Sequence, residues 1–99
     1  MDIKLVSKEN EGELFLIGRL DANSAPEAEQ VFKEVAEKFD RVVLNMEQLD
    51  YISSAGLRAI KIIHMAMKKK NGELVLTNVK KMVMEVFEII GFAGLLKFE

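Results

Sequence analysis

The 99-residue chain is 49 % apolar, enough to supply one hydrophobic core, and it is read as a single domain over residues 1–99. Its 14 basic and 16 acidic residues give a formal charge of −2 with neither sign gathered in a long block, which argues against a nucleic-acid binder held by phosphate contacts. There is no cysteine and a single histidine, so disulfides, thiolate metal sites and histidine clusters are excluded; no loop carries an EF-hand pattern, and neither a metal nor a cofactor is expected.

The amino terminus, Met1-Asp-Ile-Lys4, has neither the charged start nor the apolar centre of a signal peptide. No apolar run approaches the roughly 18 residues that span a bilayer, so a cytoplasmic protein without a membrane partner is expected. A short, half-apolar strand over residues 3–8 comes first, then the turn chemistry of Glu9-Asn-Glu-Gly12 and the apolar run within Glu13-Leu-Phe-Leu-Ile17. These predict a hairpin whose first strand is an antiparallel edge and whose second, lacking alternation, is buried on both faces. Gly18 and Asp21 follow where it ends. Ser24-Ala-Pro-Glu27 fits a capping box and opens a helix that turns Ala28, Val31, Phe32, Val35, Ala36 and Phe39 inward and only polar residues outward.

Arg41-Val-Val-Leu-Asn-Met46 reads as a buried strand, and from Leu57 onward Ile60, Ile63, His64 and Met67 recur at helical spacing. Lys68-Lys-Lys70 reads as the solvated end of this second helix, which Asn71-Gly72 stops. Glu73-Leu-Val-Leu-Thr77 predicts another strand, and Asn78 a cap for a third helix with Val79, Val83, Val86, Phe87 and Ile90 inward. Phe92 to Phe98 closes the chain as a final short strand. The order is β-β-α-β-α-β-α-β, an α/β domain in which helix-linked strands run parallel and cross over right-handedly. Their carboxyl ends then bring the loops around Asp21, Ser53-Ser54 and Thr77-Asn78 to one edge, where open α/β sheets place ligands.

Between the third strand and the second helix, Ser53 and Ser54 sit where a helix start leaves backbone N–H groups unpaired, so either hydroxyl can cap it. Gly56, two residues on, permits a tight turn or a close backbone approach. On a helical wheel Leu57, Ile60, His64 and Met67 share the inward face, while Ser54, Arg58, Ile62, Met65 and Lys69 share the outward one. Ser53 points nearer the inside, which makes Ser54 the better candidate for an exposed hydroxyl. Ile62 and Met65 are apolar residues on the outward side further along the helix. Clustered near a modifiable residue such groups suggest a docking surface, whereas scattered ones need no explanation, and a partner that docks on a helix is expected on the second rather than the first.

The segment Leu49-Asp-Tyr-Ile-Ser-Ser-Ala-Gly-Leu-Arg58 resembles the phosphorylation-site segment of the bacterial anti-sigma factor antagonists, the STAS domain family. Gly18-Arg-Leu-Asp21, followed by Ala-Asn-Ser, resembles the family's second marker, and the similarity extends over essentially the whole chain. The resemblance implies a mixed, mostly parallel sheet with an N-terminal antiparallel edge strand and helices mainly on one face. Aligning Gly56 with the family's motif glycine places the phosphoacceptor at Ser54. Where the family often has Asp before the acceptor this chain has Ser53, which stays as the alternative acceptor.

An enzyme is not expected. His64 lies about ten residues along the same predicted helix from Ser54, roughly 15 Å away by helical rise and on the other face, out of reach as a base. Asp21 and Asp50 lack a substrate cavity, and no Walker pattern is present. The resemblance implies instead a regulator whose unphosphorylated form binds an anti-sigma factor, commonly a serine kinase, and so frees a sigma factor. The kinase phosphorylates it and a PP2C-type phosphatase reverses the reaction. On this reading the partner surface comprises Asp21, Ser53, Ser54, Gly56, Arg58, Ile62 and Met65. The alternative is a STAS adaptor, not phosphorylated, that docks on an ATPase or a larger signalling assembly. A small-ligand sensor using the strand edge is a third class, without specific support in the residues.

Overall fold

The computed structural model describes all residues from Met1 to Glu99. Strand β1 (Asp2–Lys8) turns through Glu9 and Asn10 into β2 (Glu11–Leu20), with Glu9 at φ 56°. Helix α1 (Ala25–Lys38), β3 (Arg41–Asn45), β4 (Leu49–Ile52), α2 (Ser54–Lys69), β5 (Glu73–Thr77) and α3 (Lys81–Ile89) follow. A 3₁₀ turn over Phe92–Gly94 leads into a two-residue strand, β6 (Lys97–Phe98). The sheet order is β1-β2-β3-β5-β6; β1 pairs antiparallel with β2 and every other pair is parallel. The expected α/β architecture is therefore present, with one strand more than the sequence suggests.

That additional strand, β4, depends on β2. The first half of β2 pairs with β3, Glu11 to Phe15 against Arg41 to Asn45, and its last residues pair with β4 instead. The change of partner falls between Phe15 and Gly18, and the new pairing has an irregularity between Gly18 and Arg19. Gly18 there takes φ 107°, a left-handed conformation that a side chain would strain, and its N–H donates to the Gln48 carbonyl at 2.9 Å. The ten-residue β2 thus carries the chain to the end of the sheet where Asp21 and the two serines lie.

One cluster of buried side chains unites Leu14, Leu16, Val42, Leu44, Leu74 and Leu76 of the sheet with Phe32, Ile60, Ile63 and Phe87 of the three helices. All three helices therefore share one face of the sheet, as expected. The other face is uncovered, so β2 alternates between buried and half-buried residues rather than being buried on both sides. Charged groups occupy that face. Arg41 bonds Glu73 at 2.7 Å and Glu11 at 2.8 Å and lies 3.4 Å from Glu99, while Lys97 pairs with Glu73. Val43 and Val75, side by side in the same register, remain buried among these neighbours.

Several local readings are corrected. Ser24 precedes α1, but its hydroxyl makes no cap to the helix; it donates to the Arg19 carbonyl at 2.7 Å and accepts from the Asp21 N–H at 2.9 Å. Lys70 is not simply solvated: its ammonium donates to the carbonyls of Ala36 and Phe39 at 2.8 and 3.1 Å, satisfying orphan acceptors at the carboxyl end of α1. Asn78 adopts φ 54° and bonds Asn45 at 3.3 Å, so Lys80 precedes α3 in its place, and Ile90 is exposed just beyond that helix. The segment from Phe92 to Phe98 is extended only at its end.

Candidate functional site

The site is built where β4 runs into α2. The N–H of Ser53 donates to the Leu20 carbonyl at 2.9 Å, which fastens this junction to the end of β2. Ser53 is extended, with φ −101° and ψ 178°, and its Oγ accepts from the Gly56 N–H at 3.3 Å while its carbonyl accepts from Leu57 at 2.9 Å. It is the N-cap. Ser54 is the first residue of α2 and is exposed. The capping role open to either serine thus falls to Ser53, and the Ser54 hydroxyl faces solvent beside the unpaired N–H groups of the first turn.

Gly56 supplies the close approach that its position suggests. A Cβ there would stand 2.6 Å from the Leu20 carbonyl oxygen and 2.8 Å from the side chains of Ile52 and Leu20. The first turn of α2 can therefore lie directly on the end of β2 only with glycine at this position.

Asp21, one residue beyond Leu20, organises the adjoining loop. Its Oδ1 accepts from the backbone N–H of Asn23 at 3.0 Å and of Ser24 at 3.1 Å, and Arg19 lies 3.7 Å from its other oxygen. The Ser24 N–H, together with Asn23, the Ser24 hydroxyl and Arg19, holds the Asp21 carboxyl below its ordinary value against a smaller opposing effect of burial. Asp21 is thus an ionised loop-organising group. Asp50 is engaged separately, accepting from Lys80 at 2.6 Å.

The structure places the other expected residues along α2. Arg58 is exposed one turn after Ser54. Met65 is 51 % exposed, whereas Ile62 is half-buried, so Met65 presents the larger apolar surface of the two. His64 is half-buried on the opposite side with its Nε2 unpartnered. Burial, and then Lys68, lower its pKa from the ordinary 6.5.

Sequence reasoning missed β4 and what it carries. Arg19 sits over the Tyr51 ring, 4.1 Å from its centre, and Tyr51 is in register with Arg19 across the β2–β4 pair. Tyr51, Ile52, Met82, Val83 and Val86 line a small apolar cleft of about 120 Å³ between β4 and α3, with Asp50 at its rim. Met82 is exposed beside it. The alternation that would announce a strand is absent from Leu49-Asp-Tyr-Ile52, where buried residues flank two exposed ones.

Residues 2–99 match the STAS domain family, and the chain belongs to it. Two curated relatives and one solved structure are similar to it. A Bordetella bronchiseptica protein, BtrV, assigned by name to the anti-sigma factor antagonists, is 42 % identical over 97 residues, covering 94 % of this chain and 83 % of its own length. The anti-sigma-B factor antagonist of Listeria monocytogenes is 25 % identical over 104 residues, covering all of this chain and 90 % of the relative. The Bacillus cell fate determinant SpoIIAA in its phosphorylated form superposes with a TM-score of 0.79 at 16 % identity, over 99 % of this chain and 91 % of that one, which shows the shared fold. No helix is long and apolar enough to cross a membrane.

Proposed function

We propose that this domain is an anti-sigma factor antagonist: unphosphorylated, it binds an anti-sigma factor that is a serine kinase, and so frees a sigma factor for transcription. Phosphorylation of Ser54 ends the association, and a PP2C-type phosphatase restores it. The curated relatives that bear this role in their names support the first part of the reading. The observation that carries the switch is the division of labour between the two serines: Ser53 caps α2, and Ser54 is left exposed at its start. Ser53 is the alternative acceptor, at the expense of that cap.

A phosphate on Ser54 adds about −1.5 to −2 charges at neutral pH. At a helix amino terminus the free N–H groups and the dipole favour that charge, and exposed Arg58 is one turn away to pair with it. The fold tolerates the modification. The partner does not, because an unpaired charge buried in an interface costs about 2–5 kcal/mol, or roughly 30-fold to several thousand-fold in affinity. Asp21, Ser53, Ser54, Gly56, Arg58, Ile62 and Met65 form the contact surface, with Asp21 and Gly56 shaping the loop and the first turn and Arg58 and Met65 presenting side chains. His64 on the inner side of α2, in a cleft with Met67, Lys68 and Leu95, supports a binding role over a catalytic one.

The test is intact-mass spectrometry with phosphosite mapping on protein from its native cell, with phosphatase inhibited and a Ser54→Ala control. A gain of about 80 Da at Ser54, the mass of one added phosphate, supports the switch, and the same gain at Ser53 moves its site. No phosphate under any growth condition overturns it in favour of the constitutive adaptor.

A further inference from the structure

The two edges of the sheet are unequal. β6 closes one edge with two residues, whereas β1 leaves seven residues, Asp2 to Lys8, paired on one side only. An unpaired strand edge is a template for another strand, and natural edges are commonly blunted by lysine. Lys4 and Lys8 lie on this strand, yet it also exposes Leu5 at 45 % and Val6 at 58 %. The pattern of these residues selects an occupant.

Two copies of β1 related by a two-fold axis pair antiparallel, so that residue i meets residue j with a constant sum of the two numbers. An odd sum would oppose residues from different faces, which leaves the even ones. Centring the axis on Lys4 sets Lys4 against Lys4, and centring it on Val6 sets Lys4 against Lys8; both oppose like charges. Centring it on Leu5 pairs all seven residues and opposes no like charges. Leu5 then meets Leu5 on the helix-bearing face, Ile3 meets Ser7, Lys4 meets Val6, and Asp2 meets Lys8 at both ends of the ribbon. The faces follow from the β1–β2 register, which sets Leu5 beside core residue Leu14 and Asp2, Lys4, Val6 and Lys8 on the uncovered face.

We infer that β1 is a self-association surface, on which a second copy of this chain adds its own β1 antiparallel about Leu5 to make one continuous sheet across the dimer. The area is that of a strand edge, well below a standard protein interface, so the dimer is weak and concentration-dependent. The surface lies on β1, whereas the Ser54 junction is carried by β2 and β4.

Sedimentation equilibrium on the full chain across a dilution series, up to about 1 mM so that millimolar affinities register, reads the association. The expected result is a reversible monomer–dimer equilibrium at moderate salt. Asp2→Lys and Lys8→Asp, each alone, turn both terminal pairs repulsive and weaken self-association about tenfold or more. An equimolar mixture of the two variants restores dimer, since every Asp2→Lys chain then faces complementary charge on a Lys8→Asp chain. A strictly monomeric protein, including one whose edge serves a strand of a different protein, overturns the inference. So does a dimer indifferent to both variants, or a mixture that fails to recover while each variant keeps the far-ultraviolet spectrum of the parent.

Discussion

Gly56 rests on the carbonyl of Leu20, so closely that a Cβ at position 56 would lie 2.6 Å from that oxygen. The same carbonyl accepts the Ser53 N–H at 2.9 Å, so one backbone atom at the end of β2 locates both the cap and the first turn of α2. Gly56→Ala forces the helix off this seat. Alanine improves helix propensity by up to about 1 kcal/mol, but a Cβ so close to a backbone oxygen is at the upper end of overpacking costs, about 2–3 kcal/mol, so a net loss of at least about 1 kcal/mol is expected. Urea denaturation reads it, and a neutral or stabilising result would show that the helix and β2 separate freely.

The two serines separate in stability measurements before any partner is involved. Ser53→Ala removes the oxygen that accepts from Gly56 and costs about 1 kcal/mol. Ser54→Ala removes an exposed hydroxyl and shifts stability by less than about 0.5 kcal/mol. Equal losses from both variants would contradict the assignment of the cap to Ser53.

The division between these serines was half legible in the chain. The helical wheel set Ser54 outward and Ser53 nearer the inside, because periodicity reports side-chain direction wherever one face is buried. The three helices were legible for the same reason, and the hairpin and parallel strands as apolar runs bounded by turn residues. β4 was not, since a four-residue strand defined by its pairing with the end of β2 has no period of its own. The second face of β2 was misjudged because Phe15 and Ile17 are apolar yet only half-buried, on a sheet face that no helix covers. Ser24 shows a further limit: its spacing to Glu27 matches a capping box, but the Arg19 carbonyl and the Asp21 N–H engage its hydroxyl.

Acid should weaken the fold in two stages. The folded pKa of His64 lies below 6.5, so the unfolded chain takes up its proton first and stability falls as pH drops below about 6.5. Asp21 and Glu73 also have lowered folded values, Asp21 chiefly through the Ser24 N–H and Glu73 through Lys97 and Arg41. Their contributions are complete above the ordinary carboxylate range and are lost as pH falls through the lowered folded values. In denaturation midpoints measured from pH 8 to pH 3, His64→Gln should abolish the first decline and leave the second. A first decline retained in that variant would assign it to another group.

The last prediction concerns the proposed contact surface. Ser54→Asp places negative charge where the α2 dipole favours it, so stability should hold or rise by about 0.3–1 kcal/mol while affinity for the proposed serine-kinase partner falls at least tenfold. Met65→Asp changes an exposed methionine 11 residues further along the same helix, so it should leave folding intact and weaken the same complex. Ile62→Asp tests the same surface, but Ile62 is half-buried, so its effect on affinity counts only alongside a measured stability. Isothermal titration against the partner separates the contributions. Lost binding with Ser54→Asp but unchanged binding with both Met65→Asp and a folded Ile62→Asp would confine the interface to the first turn of α2 and the Asp21 loop. Unchanged binding in all three would remove α2 from the interface.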